Sequence, residues 1–232
     1  MSVGIGKYLY RSPMVESVNS TYLSSAQFLE LYRSASSEVE RKLLLRHVIR
    51  FNTPYVFKDC PLVYEQIRHY LSELLEIEVA DVMLIGSAKT GFSMSTAEYG
   101  KGFSEKSDLD FTIVSSRVFE ALKEEYGIWR DGYMNGIVVP RNEREQKYWD
   151  ENLRVVRRNI SRKFIYSIKL PNRECCPKTR QINDAMYRIT VKIKEKFGIS
   201  VSHASVRIYN DLNAFYDQFK LNTDYLIGSI SI

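Results

Sequence analysis

The sequence predicts an α+β (mixed α/β) fold, a small mixed sheet with several helices packed on it. Three observations lead there. Short segments rich in β-branched and apolar residues lie at 79–85, 109–114 and 199–209. Between them run longer stretches with apolar residues at helical spacing, so helices outnumber strands. Hydrophobic residues make up 44% of the 232, enough for a real core and against disorder over the whole chain.

Residues 1–23 are mixed and turn-rich, which suggests an irregular lead-in arm. A helix is expected over 24–50, capped by Ser24 or Ser25, with Phe28, Leu31, Tyr32, Leu44 and Val48 at helical spacing. Asn52-Thr53-Pro54 ends it. Pro61 suits the first turn of a second helix, 61–76, lined by Ile67, Leu71 and Leu75. The strand 79–85 runs into Gly86-Ser87, and a second strand holds 109–114. Ser115 or Ser116 caps a helix over 117–126. Gly127, Gly132, Gly136 and Pro140 make 127–142 a loop with one short strand at 137–139. A basic helix at 144–164, a helix at 178–197 stopped by Gly198, a strand at 199–209 and a helix at 211–226 complete the chain. The expected organisation is an arm and helix over 1–60, a core over 61–210 with a helical insertion, and a C-terminal helix and tail over 211–232.

Lys and Arg number 33 against 28 Asp and Glu. The resulting net charge of +5 is compatible with a nucleotide or RNA partner without demanding one. Cys60, Cys175 and Cys176 form neither a disulfide framework nor a C-x-x-C zinc pattern, so reduced thiols in a cytoplasm are expected. The opening MSVGIGKYLYRSP has no continuous apolar segment of a signal peptide. No apolar run approaches the roughly 18 residues of a membrane span. A cytoplasmic protein with no membrane partner is the expectation.

The stretch LIGSAKTGFSMSTAEYGKGFSEKSDLDFTIV, residues 84–114, carries the chemistry. Alternation along a strand points Asp108 and Asp110 to one side, about 6–7 Å apart at the backbone, and Leu109 and Phe111 to the other. Two like charges so close repel, and burial adds to the cost. A divalent cation removes both problems, and Mg²⁺ takes one or two carboxylates plus substrate phosphates. Gly86 permits a sharp turn and Ser87 offers a hydroxyl, the elements of a phosphate site, with Lys89, Lys101 and Lys106 adding charge. A P-loop is excluded: Gly86 and Gly91 have its spacing, but Phe92 stands in place of the lysine.

Strand, Gly-Ser, short connection, then Asp-x-Asp on the next strand resembles the nucleotidyltransferase superfamily with the DNA polymerase β-like fold. The likeness covers roughly 62–116, and more loosely extends to 200–209. It implies that Gly86 and Ser87 hold a nucleoside triphosphate, with Lys89 and Arg207 as further nucleotide contacts. Asp108 and Asp110 would be the catalytic, metal-binding pair for Mg²⁺ or Mn²⁺. The acceptor would be a protein, RNA or nucleotide hydroxyl. The resemblance also implies a place in a bacterial conflict or phage-defence system, where small stand-alone proteins resembling this superfamily are often found. The family also places a third carboxylate on a later strand. Here the polar face of 199–209 carries His203, Ser205, Arg207 and Tyr209, which puts Arg207 in that carboxylate's place. Asp211 lies just past the strand, while Asp131, Asp150 and Asp184 fall in a loop or helices. Two function classes follow: an active nucleotidyltransferase, or a catalytically inactive protein that keeps the fold to bind a nucleotide, RNA or protein.

The basic helix carries Arg144, Lys147, Arg154, Arg157, Arg158, Arg162 and Lys163. RNA phosphates are one partner for it, but a solvated face balanced by Glu143, Glu145, Asp150 and Glu151 is the favoured reading. Tyr148, Trp149, Phe164 and Tyr166 suit core packing better than base stacking. His47 and His69 are structural on their helices, and His203 lies on a strand near the candidate site.

Overall fold

A computed structural model describes residues 11–18 and 22–230 and shows an α+β fold. Its helices are α1 (Pro13–Ser17), α2 (Ser25–Ser34), α3 (Glu38–Arg50), α4 (Pro61–Leu75), α5 (Ser87–Thr90), α6 (Ser116–Met134), α7 (Glu143–Ser161), α8 (Pro177–Phe197) and α9 (Leu212–Ile230). The strands β1 (Val82–Ile85), β2 (Leu109–Val114), β3 (Phe164–Tyr166) and β4 (Ala204–Tyr209) form one sheet in the order β1-β2-β4-β3. β1 and β2 are antiparallel, β2 and β4 parallel, β3 and β4 antiparallel. Part of the expected lead-in arm lies outside the described residues; within it, 13–17 is helical, capped by Ser12.

Several expected elements change in the folded chain. The helix expected over 24–50 is two helices. Ala35 is non-helical, the Ser37 hydroxyl accepts from the Glu40 N–H, and the Glu40 carboxylate accepts from the N–H and hydroxyl of Ser36. These local side-chain bonds offer the backbone an alternative to a continuous helix. The helix expected to stop at 126 runs on through Gly127 and Gly132 to Met134. Each interior glycine costs about 1 kcal/mol relative to alanine, and full burial of Trp129 against Tyr126 and Trp149 outweighs it. The segment at 137–139 is not a strand. The N–H groups of Ile137 and Val138 donate to Gly132 O, folding the chain back against the helix end. The basic helix ends at Ser161, and 164–166 leaves it to pair with β4. Only 204–209 of the expected strand 199–209 is β-structure.

Both faces of the sheet are covered. Leu84, Leu109, Phe111, Ile113, Val206 and Ile208 face α4, α6 and α8 in the main core. On the other face Met83, Ile85, Phe164 and Tyr209 pack with Ile49 of α3 and Phe215 and Tyr216 of α9. A third cluster joins Phe28 and Tyr32 of α2, Leu44 and Leu45 of α3, and Phe92 from the loop after α5. The second cover reaches Val114 and Tyr209 at one end of the sheet, and the end bearing Asp110 opens into a cleft. No described helix is long and apolar enough to cross a membrane.

The crossover from β2 to β4 is pinned by a buried acid. Glu125 of α6 accepts from the Lys178 N–H (2.5 Å), the Thr179 N–H (3.0 Å) and the Thr179 hydroxyl (2.7 Å), so it closes the N-terminus of α8. Glu125→Ala strands these donors in the interior and is expected to cost about 3 kcal/mol. Urea denaturation of the variant checks this, and an unchanged midpoint contradicts it.

Candidate functional site

β1 delivers the chain into Gly86 with φ +69° and ψ −161°, a conformation open essentially to glycine alone. The N–H groups of Lys89 and Thr90 bond back to Gly86 O at 3.0 and 3.1 Å, which winds α5 directly onto the strand end. A Cβ at position 86 would lie 3.3 Å from Asp110 Oδ2. The missing side chain therefore lets the carboxylate face the turn.

The sheet register assembles the rest. Ile85, Asp110 and Ser205 are direct neighbours across β1, β2 and β4. The Ser205 hydroxyl donates to Asp110 Oδ1 at 2.8 Å. Asp108, just before β2, meets His203 Nδ1 at 2.8 Å. Arg207 lies two residues further along β4, opposite Thr112, with its guanidinium 4.7 Å from the Tyr166 ring centroid. Burial holds the Tyr166 hydroxyl above its ordinary pKa, against the opposing pull of its bond with Ser205 and of the Arg207 charge.

Gly86, Ser87, Asp108, Asp110 and Arg207 line one cleft of about 400 Å³. The loop after α5 forms a second wall through Ser93, Lys101 and Lys106, folded by a bridge between Phe92 and Gly102. The third wall comes from α9, through Phe219, Asn222 and Thr223. Nothing in the sequence near 219–223 marks these residues, because only the packing of α9 across the sheet brings them there. Tyr166, expected as a core-packing aromatic beyond the basic helix, is brought beside Arg207 by the β3–β4 pairing.

Lys89 does not join the cleft, which corrects its expected role as a nucleotide contact. The short helix turns it inward, where Nζ donates to Phe51 O at 2.8 Å and Asn52 O at 2.5 Å. The side chain braces the exit of α3. Burial, with a smaller contribution from Arg68, brings its pKa down to about 8. Between that value and the ordinary lysine range the unfolded chain binds a proton that the folded chain does not, so stability rises with pH there. Compared with Lys89→Met, the parent is expected to gain about 3 kcal/mol of relative stability between pH 8 and 10.5. Guanidinium denaturation of both proteins across that range checks it, and a constant difference contradicts it.

Arg207 also stands differently from expectation. Ser205, not Arg207, occupies the β4 position directly beside Asp110. Asp211 lies past the opposite end of β4, where Oδ1 accepts from the Ala214 N–H at the start of α9 and Oδ2 meets Lys163 and Asn210. The Ala214 bond, then those from Asn210 and Lys163, hold its carboxyl below the ordinary range. Asp131 pairs with Arg130, and Asp150 accepts from Tyr133. Among the described residues no group of three or more His, Cys, Asp or Glu side chains converges.

The donors present fit a hard divalent cation shared with phosphate. Asp108 and Asp110 are oxygen ligands at the rim of a polar cleft, and the Gly86 turn leaves Asp110 Oδ2 accessible. They do not form a complete protein cage, which suits Mg²⁺, an ion that keeps water and phosphate ligands. No family model matches the chain, and neither a curated protein nor a solved structure matches it, so the functional reading of the cleft rests on its geometry.

Proposed function

We propose that the chain is a nucleotidyltransferase-like protein that binds a nucleoside triphosphate with Mg²⁺ in this cleft. The observation that carries the proposal is the convergence of the Gly86-Ser87 turn, Asp108, Asp110 and Arg207 on one polar cavity. The two aspartates hold the cation. The Ser87 hydroxyl and the Arg207 guanidinium bind phosphate oxygens, the latter through its planar fork. When bound, Mg²⁺ supplies neutralisation of the charge on the phosphates. An acceptor hydroxyl on protein, RNA or a nucleotide completes the transferase reading.

A second reading has its own observation. Transfer needs a group to take the acceptor's proton. Beside Asp110 stands Ser205, with Arg207 beyond it, and a guanidinium stays protonated at any working pH. On this reading the protein is a catalytically inactive relative that holds Mg-NTP as a binding module.

One experiment tests both. The purified protein is incubated with each radiolabelled NTP and Mg²⁺ or Mn²⁺, and melting temperature and pyrophosphate release are followed together. A cation-dependent rise in melting temperature supports the proposed binding. Pyrophosphate release then assigns transfer, and binding without release assigns the binding module. No response to any Mg-NTP or Mn-NTP overturns the proposal.

A further inference from the structure

α7 turns Trp149, Asn152, Val156 and Asn159 into the core. Arg144, Lys147, Arg154, Arg157 and Arg158 are exposed on it, as is Arg162 at its C-cap. By sequence, four acids of the same helix balance this charge. In the folded chain two of them are engaged elsewhere. Glu145 is held by Arg173 and by the Arg141 N–H, each at 2.6 Å. Asp150 accepts from the Tyr133 hydroxyl at 2.8 Å. Glu143 sits in the first turn, where a carboxylate complements the helix dipole. Glu151 is the acid left among the cations.

None of these six basic side chains has an ion-pair partner among the described residues. Arg154, Arg158 and Arg162 follow one another at four-residue intervals, about 6 Å apart along the axis, on one stripe. The C-terminal dipole favours Arg158 and Arg162, but it fades within a turn and leaves Arg154 and Lys147 unexplained. Charge that alternates in sign and pairs at four-residue spacing marks a solvated, salt-bridged helix face, and the arginine stripe of α7 lacks that pattern. This face is mostly arginine, whose fork matches phosphate oxygens in bidentate fashion.

We infer that this face of α7 binds the phosphodiester backbone of a nucleic acid through Arg154, Arg158 and Arg162, without reading base sequence. It is a surface separate from the cleft and does not depend on the cleft's function. The test is fluorescence anisotropy with a labelled single-stranded RNA and the DNA of the same sequence, at low and fourfold higher salt. Three phosphate contacts on a single strand lower affinity about 20-fold over that change. The expected result is binding of both strands with this dependence. In the variant Arg154→Gln/Arg158→Gln/Arg162→Gln, affinity should fall at least about tenfold with loss of most of the salt dependence. Circular dichroism confirms that the variant is folded. Lys194→Gln/Lys196→Gln, on the last turn of α8, and Asp108→Ala/Asp110→Ala, in the cleft, should both bind as the parent does. The inference is overturned by equal binding of the triple variant, by no binding of the parent at low salt, by loss of binding in the cleft variant, or by polyglutamate competing as strongly as RNA. RNA binding without DNA binding overturns the backbone-only mode.

Discussion

Replacing Asp108 and Asp110 together by Ala is expected to abolish Mg²⁺-dependent NTP binding while leaving the protein folded. The two carboxylates sit at one end of the sheet, facing a polar cavity rather than the core. On the proposed reading, removing both takes away the anionic ligands for the cation. The phosphates then face an Arg207–Ser87 cleft with no ion to share their charge. Loss of the two charge-assisted ligands, at about 1.5–3 kcal/mol each, corresponds to at least about a hundredfold in Kd. Folding does not suffer in proportion, because two like charges at adjacent positions on one side of the strand repel each other. The freed partners are the Ser205 hydroxyl and His203, and His203 is largely exposed, so water replaces its contact. Calorimetric titration with a nonhydrolysable NTP, with and without Mg²⁺, measures the effect. Parent-like Mg-NTP affinity in the double variant refutes the assignment of the cleft.

Phe111→Ala is expected to give the opposite result one residue away. Phe111 is fully buried and points from the centre of the sheet into the main core, between Leu84 on β1 and Val206 on β4. Truncating a buried phenylalanine costs about 3–5 kcal/mol, from lost apolar transfer and from the cavity left behind. That is a large fraction of the 5–15 kcal/mol that holds a typical domain together. The expected readouts are a sharp fall in urea midpoint and a melting temperature lower by roughly 10 °C. A shift of only one or two degrees contradicts the placement of Phe111 in the core and with it the face assignment of β2. Asp110 and Phe111 therefore test the two faces of one strand independently.

Much of this arrangement was legible in the chain itself. Alternation of Asp108, Leu109, Asp110 and Phe111 tells which side of β2 is wet. An apolar strand running into Gly-Ser marks the turn. Gly198 ends α8 in the left-handed conformation, as its position after the last apolar turn implies. Local rules served less well where burial competed with them. Gly127 and Gly132 read as loop, yet the helix passes through both because Trp129 and Tyr126 find partners on distant elements. Lys89 reads as a phosphate contact from its place after Gly-Ser, yet the single turn of α5 aims it at the carbonyls of Phe51 and Asn52.

Local signals in the chain therefore set the α+β class, the Gly86-Ser87 turn, the shared face of Asp108 and Asp110, and the polar face of β4 that carries Ser205 and Arg207. Each of these depends on periodicity or backbone freedom within a few residues, and such signals are written locally. Long-range packing decided that β4 lies parallel beside β2, with Ser205 rather than Arg207 next to Asp110. It likewise decided that α9 closes the cleft with Phe219, Asn222 and Thr223, and that Glu145 and Asp150 turn away from the arginines of α7. These outcomes are set by which elements exclude water together across the sheet, and by which donors a buried or half-buried carboxylate finds there. Neither is a property of any short stretch of chain.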